Sequence, residues 1–187
     1  MVQERTRKIV ITGVLSAISI FLGITRLGFI PWVTGASLTI MQVPVIIGAV
    51  IEGPVVGLII GFIFGLFSLI QAAVAPTGPT DVWFTNPLLS ILPRLLIGPV
   101  AWLVYKGFKK WQALALILAG VFGSLTNTLL VLGMIGLLQF LPWEALPAII
   151  LGNGLPEAVA SAILVAAVVG IWQKIEKNDG EEQGSKI

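Results

Sequence analysis

Cysteine and histidine are both absent from the 187 residues of this chain, and charged residues make up only 11% of it. Without these side chains there is no disulfide, no thiolate nucleophile, no Cys/His zinc site and no histidine-based catalytic triad. The chain also lacks a glycine-rich phosphate loop ending in Lys-Ser or Lys-Thr, so it cannot drive transport with ATP by itself. We therefore predict a protein that is not an enzyme, with no catalytic residue, no metal and no cofactor.

The composition is that of a membrane protein. Hydrophobic residues make up 57% of the chain and the mean hydropathy is +1.02, whereas a soluble domain carries about 25% charged residues. The net charge of +2 is small and forms no basic patch, so no nucleic-acid partner is expected. We predict an all-α integral membrane protein that contacts lipid.

Six apolar segments predict six transmembrane helices in a single membrane domain, over about residues 9–25, 38–51, 55–74, 88–105, 112–138 and 155–173. The second is short and contains a proline. Residues 145–151 are apolar but too short to cross the membrane, and they predict an interfacial or re-entrant piece. Gly152–Pro156 predicts a break before the sixth helix, and the polar tail over 178–187 is expected to be disordered.

The basic residues predict the orientation of the helices. With six spans, both termini and nine of the eleven basic residues fall on one side, namely Arg5, Arg7, Lys8, Lys106, Lys109, Lys110, Lys174, Lys177 and Lys186. Only Arg26 and Arg94 fall on the other side or within the membrane. By the positive-inside rule, we predict that the N and C termini are cytoplasmic.

Arg94 is the main functional candidate because it lies inside the fourth predicted span. A guanidinium cannot lose its proton in a protein, and placing it in hydrocarbon is costly. Arg94 lies roughly 9 Å below the outer end of the span, at about 1.5 Å per residue. That depth also permits the side chain to snorkel to the interface. A purely structural ion pair with Glu157 is a further alternative.

Other polar and aromatic residues converge on the predicted outer half of the bundle. A pocket with apolar and aromatic walls and a few convergent polar groups is the expected form of a small-molecule site. We predict a substrate site formed by Arg94, Asn127, Asn153, Glu157, Asn86, Trp83, Trp143 and Trp32. Asn127 is equally consistent with an interhelical hydrogen bond, and a broken sixth helix would add free N–H donors for an anion.

Small residues predict two close-packing faces. Gly57, Gly61 and Gly65 recur one turn apart in the third span and favour contact with a neighbouring helix. Gly13 and Ala17 form a similar face on the first span.

Several blocks together resemble the substrate-binding S component of energy-coupling factor (ECF) vitamin transporters, over nearly the whole membrane region. They are Val43–Ala49 with Gly53–Gly57, Asn86-Pro87 with Ser90–Gly98, and the late Asn153 and Glu157. The resemblance implies a small bundle in a prokaryotic plasma membrane that binds a vitamin tightly from outside. It also implies docking on a transmembrane coupling subunit (EcfT) and two ATPase subunits, with the bundle toppling to carry the ligand inward.

Within this resemblance, Gly13 and Ala17 correspond to the family's alanine-rich docking motif, with glycine in place of the first alanine. The block over Val43–Gly57 is most similar to S components for pantothenate, whose carboxylate suits an arginine. Cobalamin, hydroxymethylpyrimidine or thiamine, riboflavin and folate are alternative ligands. A structural membrane subunit is the alternative from another class, and a membrane enzyme is the least supported.

Overall fold

The computed structural model describes residues 2–31, 37–76 and 78–184. Its helices are α1 (Val2–Ile24), α2 (Val43–Glu52), α3 (Pro54–Val74), α4 (Pro87–Ser90), α5 (Leu92–Gly107), α6 (Gln112–Leu137), α7 (Leu146–Ile149) and α8 (Leu155–Gly184). Two short strands are β1 (Phe29–Pro31) and β2 (Ser37–Thr39). Single 3₁₀ turns lie at Asp81–Thr85 and Trp143–Ala145, and a π turn lies at Ile150–Gly154.

The prediction of an all-α membrane protein is confirmed. Within the described residues, five helical segments are long and apolar enough to cross a membrane, namely Val2–Ile24, Pro54–Val74, Pro87–Gly107, Gln112–Leu137 and Trp143–Asn178. The segment Pro87–Gly107 joins α4 to α5, and the last segment joins α7 to α8 through the π turn. The remaining predicted span corresponds to α2, which is shorter.

The second predicted span, over 38–51, is corrected to a central helix of ten residues. A helix of this length rises only about 15 Å, which is half the thickness of the hydrocarbon core. Eight of its residues, Val43 to Val50, are buried against the neighbouring helices. Protein rather than lipid therefore surrounds α2, and this permits irregular backbone at its ends.

Prolines set several helix boundaries. A proline stands in the first turn of each of five helices: Pro44 in α2, Pro54 in α3, Pro87 in α4, Pro93 in α5 and Pro147 in α7. The first N–H groups of a helix have no partner within it, so proline costs no hydrogen bond there. These positions explain why the chain turns sharply between short helical segments.

The glycine stripe on α3 packs against α5, as its spacing predicts. A Cβ added at Gly65 would lie 2.8 Å from the Cα of Ile91, and one added at Gly57 would lie 2.9 Å from the Cα of Gly98. At Gly61 it would overlap the carbonyl oxygen of Arg94. The two backbones therefore approach too closely for any side chain at these positions. This contact sets the position of Arg94 along the axis of the bundle.

The predicted outer loop over residues 26–37 contains regular structure. Strands β1 and β2 pair antiparallel, with Phe29 opposite Thr39. The backbone N–H of Ile40 donates to the carbonyl of Gly28, which extends the pairing by one hydrogen bond. A ladder of this kind satisfies backbone groups where the chain leaves α1 and returns toward α2.

The predicted helix break at Gly152–Pro156 is wrong, because the chain remains helical there. It passes from α7 through the π turn into α8, and the backbone N–H of Leu155 donates to the carbonyl of Ile150. Glycines at 152 and 154 and the missing N–H of Pro156 favour a widened turn over a regular one. The N–H donors that a free helix end would have offered to an anion are therefore largely used.

The described part of the predicted tail is helical, since the backbone of α8 continues as far as Gly184, and residues 185–187 lie outside the described residues. Between 173 and 183 the sequence carries Gln, Lys and Glu and has no proline. These residues allow a helix that is already formed in the apolar segment to continue.

Both ends of the chain meet at one end of the bundle. Nε of Arg7 lies 2.6 Å from Oε1 of Glu52, and its NH2 lies 2.7 Å from Oε1 of Glu176. One guanidinium thus joins α1, α2 and α8 there. We refer to this as the Arg7 end of the bundle.

Candidate functional site

A cavity of about 920 Å³ lies at the opposite end of the bundle, which we call the cavity end. Its walls are largely apolar, with Phe64 from α3 and Val131, Leu132 and Ile135 from α6. Many polar side chains also line it, and they include an exposed second cation, Arg26. This combination of volume and lining is that of a small-molecule site.

Arg94 contributes the buried cation of this cavity. Only 6% of the residue is exposed, and the centre of its guanidinium lies 5.4 Å from the ring centroid of Phe64 and 5.1 Å from that of Phe84. Two aromatic faces therefore fix the plane of the group through cation–π attraction. The side chain points into the bundle, so the snorkelling alternative is wrong.

Pro93 leaves a backbone carbonyl free to accept a hydrogen bond from Arg94. A proline at 93 has no N–H to donate to the carbonyl of residue 89, four positions earlier. NH1 of Arg94 occupies that acceptor, at 2.6 Å from the carbonyl oxygen of Leu89. The dipeptide Pro93-Arg94 therefore frees a backbone acceptor and supplies its new donor.

The guanidinium keeps hydrogen-bonding capacity that the protein does not use. Its Nε is buried and has no hydrogen-bond partner. Among the described residues, the two ion pairs within 4 Å are both made by Arg7, and Arg94 and Glu157 form none. The alternative of a structural Arg94–Glu157 ion pair is therefore not supported by the geometry.

Glu157 contributes the buried anion of the cavity and is held by hydrogen bonds instead. The backbone N–H of Thr39 donates to Oε1 at 2.7 Å, and Oγ1 of Thr128 donates to Oε2 at 3.1 Å. Both donors line the cavity as well. A carboxylate oxygen accepts more than one hydrogen bond, so each oxygen retains capacity for a ligand donor.

The two asparagines also line the cavity. Oδ1 of Asn127 is buried without a partner, and Asn127 makes no interhelical hydrogen bond among the residues that the structure describes. Asn153 reaches the cavity from the π turn. With Arg94 and Glu157, four of the predicted polar residues thus come together.

Of the four remaining predicted site residues, the structure places one at the cavity and two away from it. Trp83 lines the cavity and stacks on Phe140, with ring centroids 5.3 Å apart. Asn86 does not line it, because its side chain accepts the backbone N–H of Leu88 at 3.0 Å and caps α4. Trp143 lines a separate hollow and is 56% exposed. Trp32 lies outside the described residues.

Comparison with known proteins identifies the family of the chain. The family model described as "ECF transporter, substrate-specific component" matches residues 7–169. The chain belongs to this family. It is thus a multi-pass protein of the cell membrane, the S component that works with an ECF module.

Two curated relatives are similar over most of the S component. The "Pantothenic acid transporter PanT" of Lactococcus lactis subsp. cremoris is 33% identical over 159 residues, which cover 75% of this chain and 80% of the relative. The "Pantothenate transporter PanT" of Leuconostoc mesenteroides subsp. mesenteroides is 31% identical over 206 aligned residues. That alignment covers 96% of this chain and 98% of the relative.

The predicted docking face of the S component is open. Gly13 and Ala17 are both exposed on α1, and a Cβ added at Gly13 would meet no atom within 4 Å. Only Ser16, Ser19 and Gly23 of this helix are buried. The face is therefore free to contact another helix.

Sequence analysis missed several cavity residues of this S component. Thr39 acts through its backbone, which no side-chain pattern reveals. Phe64 and Phe84 are common aromatic residues in an apolar chain, and nothing local connects them to Arg94. Thr128 did carry a signal, because it lies one residue after Asn127 in a helix that is otherwise mostly apolar.

Proposed function

We propose that this S component binds pantothenate from outside the cell in the cavity beside Arg94 and Glu157. It then delivers the ligand through EcfT and two ATPase subunits, which supply the ATP hydrolysis that this chain has no phosphate loop to perform. The family match and the similarity to two pantothenate transporters support the proposal. The buried Arg94, which lines the cavity and forms no ion pair with Glu157, is the observation that carries it.

The chemistry of pantothenate matches the polarity of the cavity. The molecule has a carboxylate at one end, an amide in the middle and two hydroxyl groups at the other end. We place the carboxylate on Arg94, because charge-assisted hydrogen bonds are among the strongest that a protein makes. The hydroxyl groups then donate to Glu157, and Oδ1 of Asn127, which has no partner in the protein, accepts from the amide N–H.

Alternative ligands fit less well. Riboflavin and hydroxymethylpyrimidine have no carboxylate that would neutralise Arg94. Folate has carboxylates but lacks the neighbouring aliphatic hydroxyl groups that suit Glu157. A purely structural role loses its main support, since the two charges form no ion pair within 4 Å.

The proposal also includes an orientation. The cavity end faces outside, and the Arg7 end, where the two chain ends meet, faces the cytoplasm, in agreement with the positive-inside rule. Gly13 and Ala17 form the surface that packs on EcfT, because small residues let two helices approach closely within a membrane.

Thermal unfolding of the purified S component, without ATP, tests the ligand. A ligand that binds only the folded protein stabilises it by about 2.7 kcal/mol when present at about 100 times its Kd. We expect pantothenate to raise the melting temperature, and biotin, folate and riboflavin to leave it unchanged. A shift with one of those vitamins and none with pantothenate would overturn the ligand assignment.

Pantothenol, in which a hydroxymethyl group replaces the carboxylate, tests the orientation. It should bind the wild-type protein much more weakly than pantothenate does. In the Arg94→Met variant the preference for pantothenate should fall sharply, because the buried cation placed against the carboxylate is gone. An undiminished preference for pantothenate in that variant would place the carboxylate elsewhere.

A further inference from the structure

Gln42 is a fully buried polar residue that does not line the cavity. It lies between β2 and α2, with an exposed fraction of 0%, and its neighbours Met41 and Val43 are buried apolar residues. Nε2 lies 2.9 Å from the carbonyl oxygen of Thr39 and 3.2 Å from Oγ of Ser124. It also lies 3.4 Å from Oγ of Ser161. One amide thus joins the end of β2 to both α6 and α8.

The backbone of Thr39 is held from two directions. Its carbonyl accepts from Gln42, and its N–H donates to Oε1 of Glu157 at 2.7 Å. Thr39 is therefore fixed between the amide below the cavity and the carboxylate in the cavity wall. A shift of Gln42 would move the donor that sets the position of Glu157.

Helices α6 and α8 both carry polar residues at two depths, one in the cavity wall and one below it. Ser124 lies one turn from Thr128 on α6, and Ser161 lies one turn from Glu157 on α8, since residues four apart share a helix face. Oγ1 of Thr128 also lies 3.3 Å from the carbonyl oxygen of Ser124, and its one proton goes to the nearer acceptor, Oε2 of Glu157. Gln42 and the two serines form a lower polar level, and Thr128 and Glu157 form the level that faces the cavity.

Close packing keeps this arrangement rigid. One turn beyond Ser124, a Cβ added at Gly120 would lie 2.6 Å from the Cα of Ala162. The backbones of α6 and α8 are therefore in contact beside the two serines. That contact sets the backbone positions of Ser124 and Ser161, whose short side chains carry two of the acceptors of Gln42.

Packing alone does not explain an amide at this position. Oε1 of Gln42 is buried and has no hydrogen-bond partner. A buried acceptor without a partner destabilises the fold, whereas an apolar side chain of similar shape would not carry that cost. Gln42 therefore contributes through its donors, and the strongest of these contacts by distance is the carbonyl of Thr39.

We propose that Gln42 is a positioning residue for ligand binding, which holds Thr39 so that its N–H keeps Glu157 directed into the cavity. This inference rests on the proposed function, because the ligand groups that it serves are the hydroxyl groups of pantothenate. Gln42 does not touch the ligand. It acts on affinity through Glu157 and leaves the contact at Arg94 unchanged.

The test compares Gln42→Met with wild type, using pantothenate and an analogue that lacks both hydroxyl groups. Calorimetry should show at least a tenfold loss of affinity for pantothenate and less than a twofold change for the analogue. In a Glu157→Gln background, the Gln42→Met change should cost less than twofold, because the group through which it acts is already altered. Equal losses for the two ligands, or additive losses in the double variant, would overturn the proposal.

A matched control and a milder variant complete the design. Gln173→Met removes another glutamine, which donates to the hydroxyl of Tyr105 at 3.0 Å from a part of α8 near the Arg7 end, and it should leave both affinities unchanged. If Gln42→Met fails to fold, Ser124→Ala removes one acceptor of the amide and should give a smaller loss with the same ligand dependence. A loss without that dependence would refute the role of Gln42.

Hydrogen exchange measured without ligand separates this inference from the proposed function. The segment that contains Thr39 should exchange faster in Gln42→Met than in wild type, and at the wild-type rate in Gln173→Met. If wild type binds no pantothenate but this difference appears, the proposed ligand is wrong and the positioning role stands. If the exchange rate does not change, the positioning role is wrong whatever the protein binds.

Discussion

Replacing Arg94 with methionine tests the site most directly, because methionine keeps an unbranched apolar stem and removes the charge. The guanidinium is already removed from water between Phe64 and Phe84 in the absence of ligand. Ligand binding therefore does not incur the free-energy cost of desolvating it. Truncating one partner of a buried charge pair typically costs about 2–5 kcal/mol. Without that cation the anion Glu157 would also repel the ligand carboxylate, which places the expected loss in the upper half of that range.

In terms of affinity, about 3–5 kcal/mol corresponds to a loss of at least about 100-fold in Kd. Isothermal titration of pantothenate into the purified variant, in detergent or nanodiscs, measures it. Lys106→Met is the matched control, since Nζ of Lys106 lies 4.7 Å from the ring centroid of Trp102 and outside the cavity lining. That variant loses a cation–π contact and should bind pantothenate like wild type.

Stability provides the second readout for Arg94. The variant loses a charged hydrogen bond to Leu89 and two cation–π contacts, and it also loses the desolvation penalty of a buried cation, which is of similar size. We therefore expect the melting temperature without ligand to change by no more than a few degrees. Wild-type affinity in a variant that has become much less stable would assign Arg94 to the fold and remove it from the site.

Three further predictions follow from other parts of the structure. Glu157→Gln keeps the shape of the side chain but loses its charge, and we expect it to weaken pantothenate binding about tenfold or more in the same titration. A loss below twofold would exclude Glu157. Gly61→Leu should lower both the melting temperature and the affinity, because its side chain would overlap the carbonyl of Arg94. A stable, tightly binding variant would contradict that contact. Gly13→Leu and Ala17→Leu should leave pantothenate affinity unchanged, because the face is open, but should reduce co-purification with EcfT and the ATPases. Intact complexes in both variants would show that the docking assignment is wrong.

The sequence predicts the membrane architecture well because hydrocarbon imposes a minimum length on every apolar span. It does not predict the length of α2, because a helix buried in protein and a helix exposed to lipid have the same apolar sequence pattern. The π turn is missed for a related reason. Glycine and proline at 152–156 indicate irregular backbone, but they do not distinguish a widened helical turn from a break.

The candidate site is predicted in part for a physical reason. Charged and amide side chains are rare in an apolar chain, so Arg94, Asn127 and Glu157 can be picked out as candidates from the sequence alone. The groups that hydrogen-bond to them cannot be found in this way. The N–H that holds Glu157 belongs to Thr39, 118 residues earlier in the chain, and only the folded bundle brings the two together. Gln42 is missed because it lies next to an apolar segment with no periodic polar pattern.

In the proposed binding mode, the contact between Arg94 and the carbonyl oxygen of Leu89 affects how the protein releases its ligand. A carbonyl is a dipole, which steadies a cation without neutralising it. Had a carboxylate held Arg94, each incoming nutrient would need to displace that anion and each departure would restore it. A backbone oxygen instead leaves the arginine receptive at all times, so loading and unloading proceed without exchanging one ion pair for another.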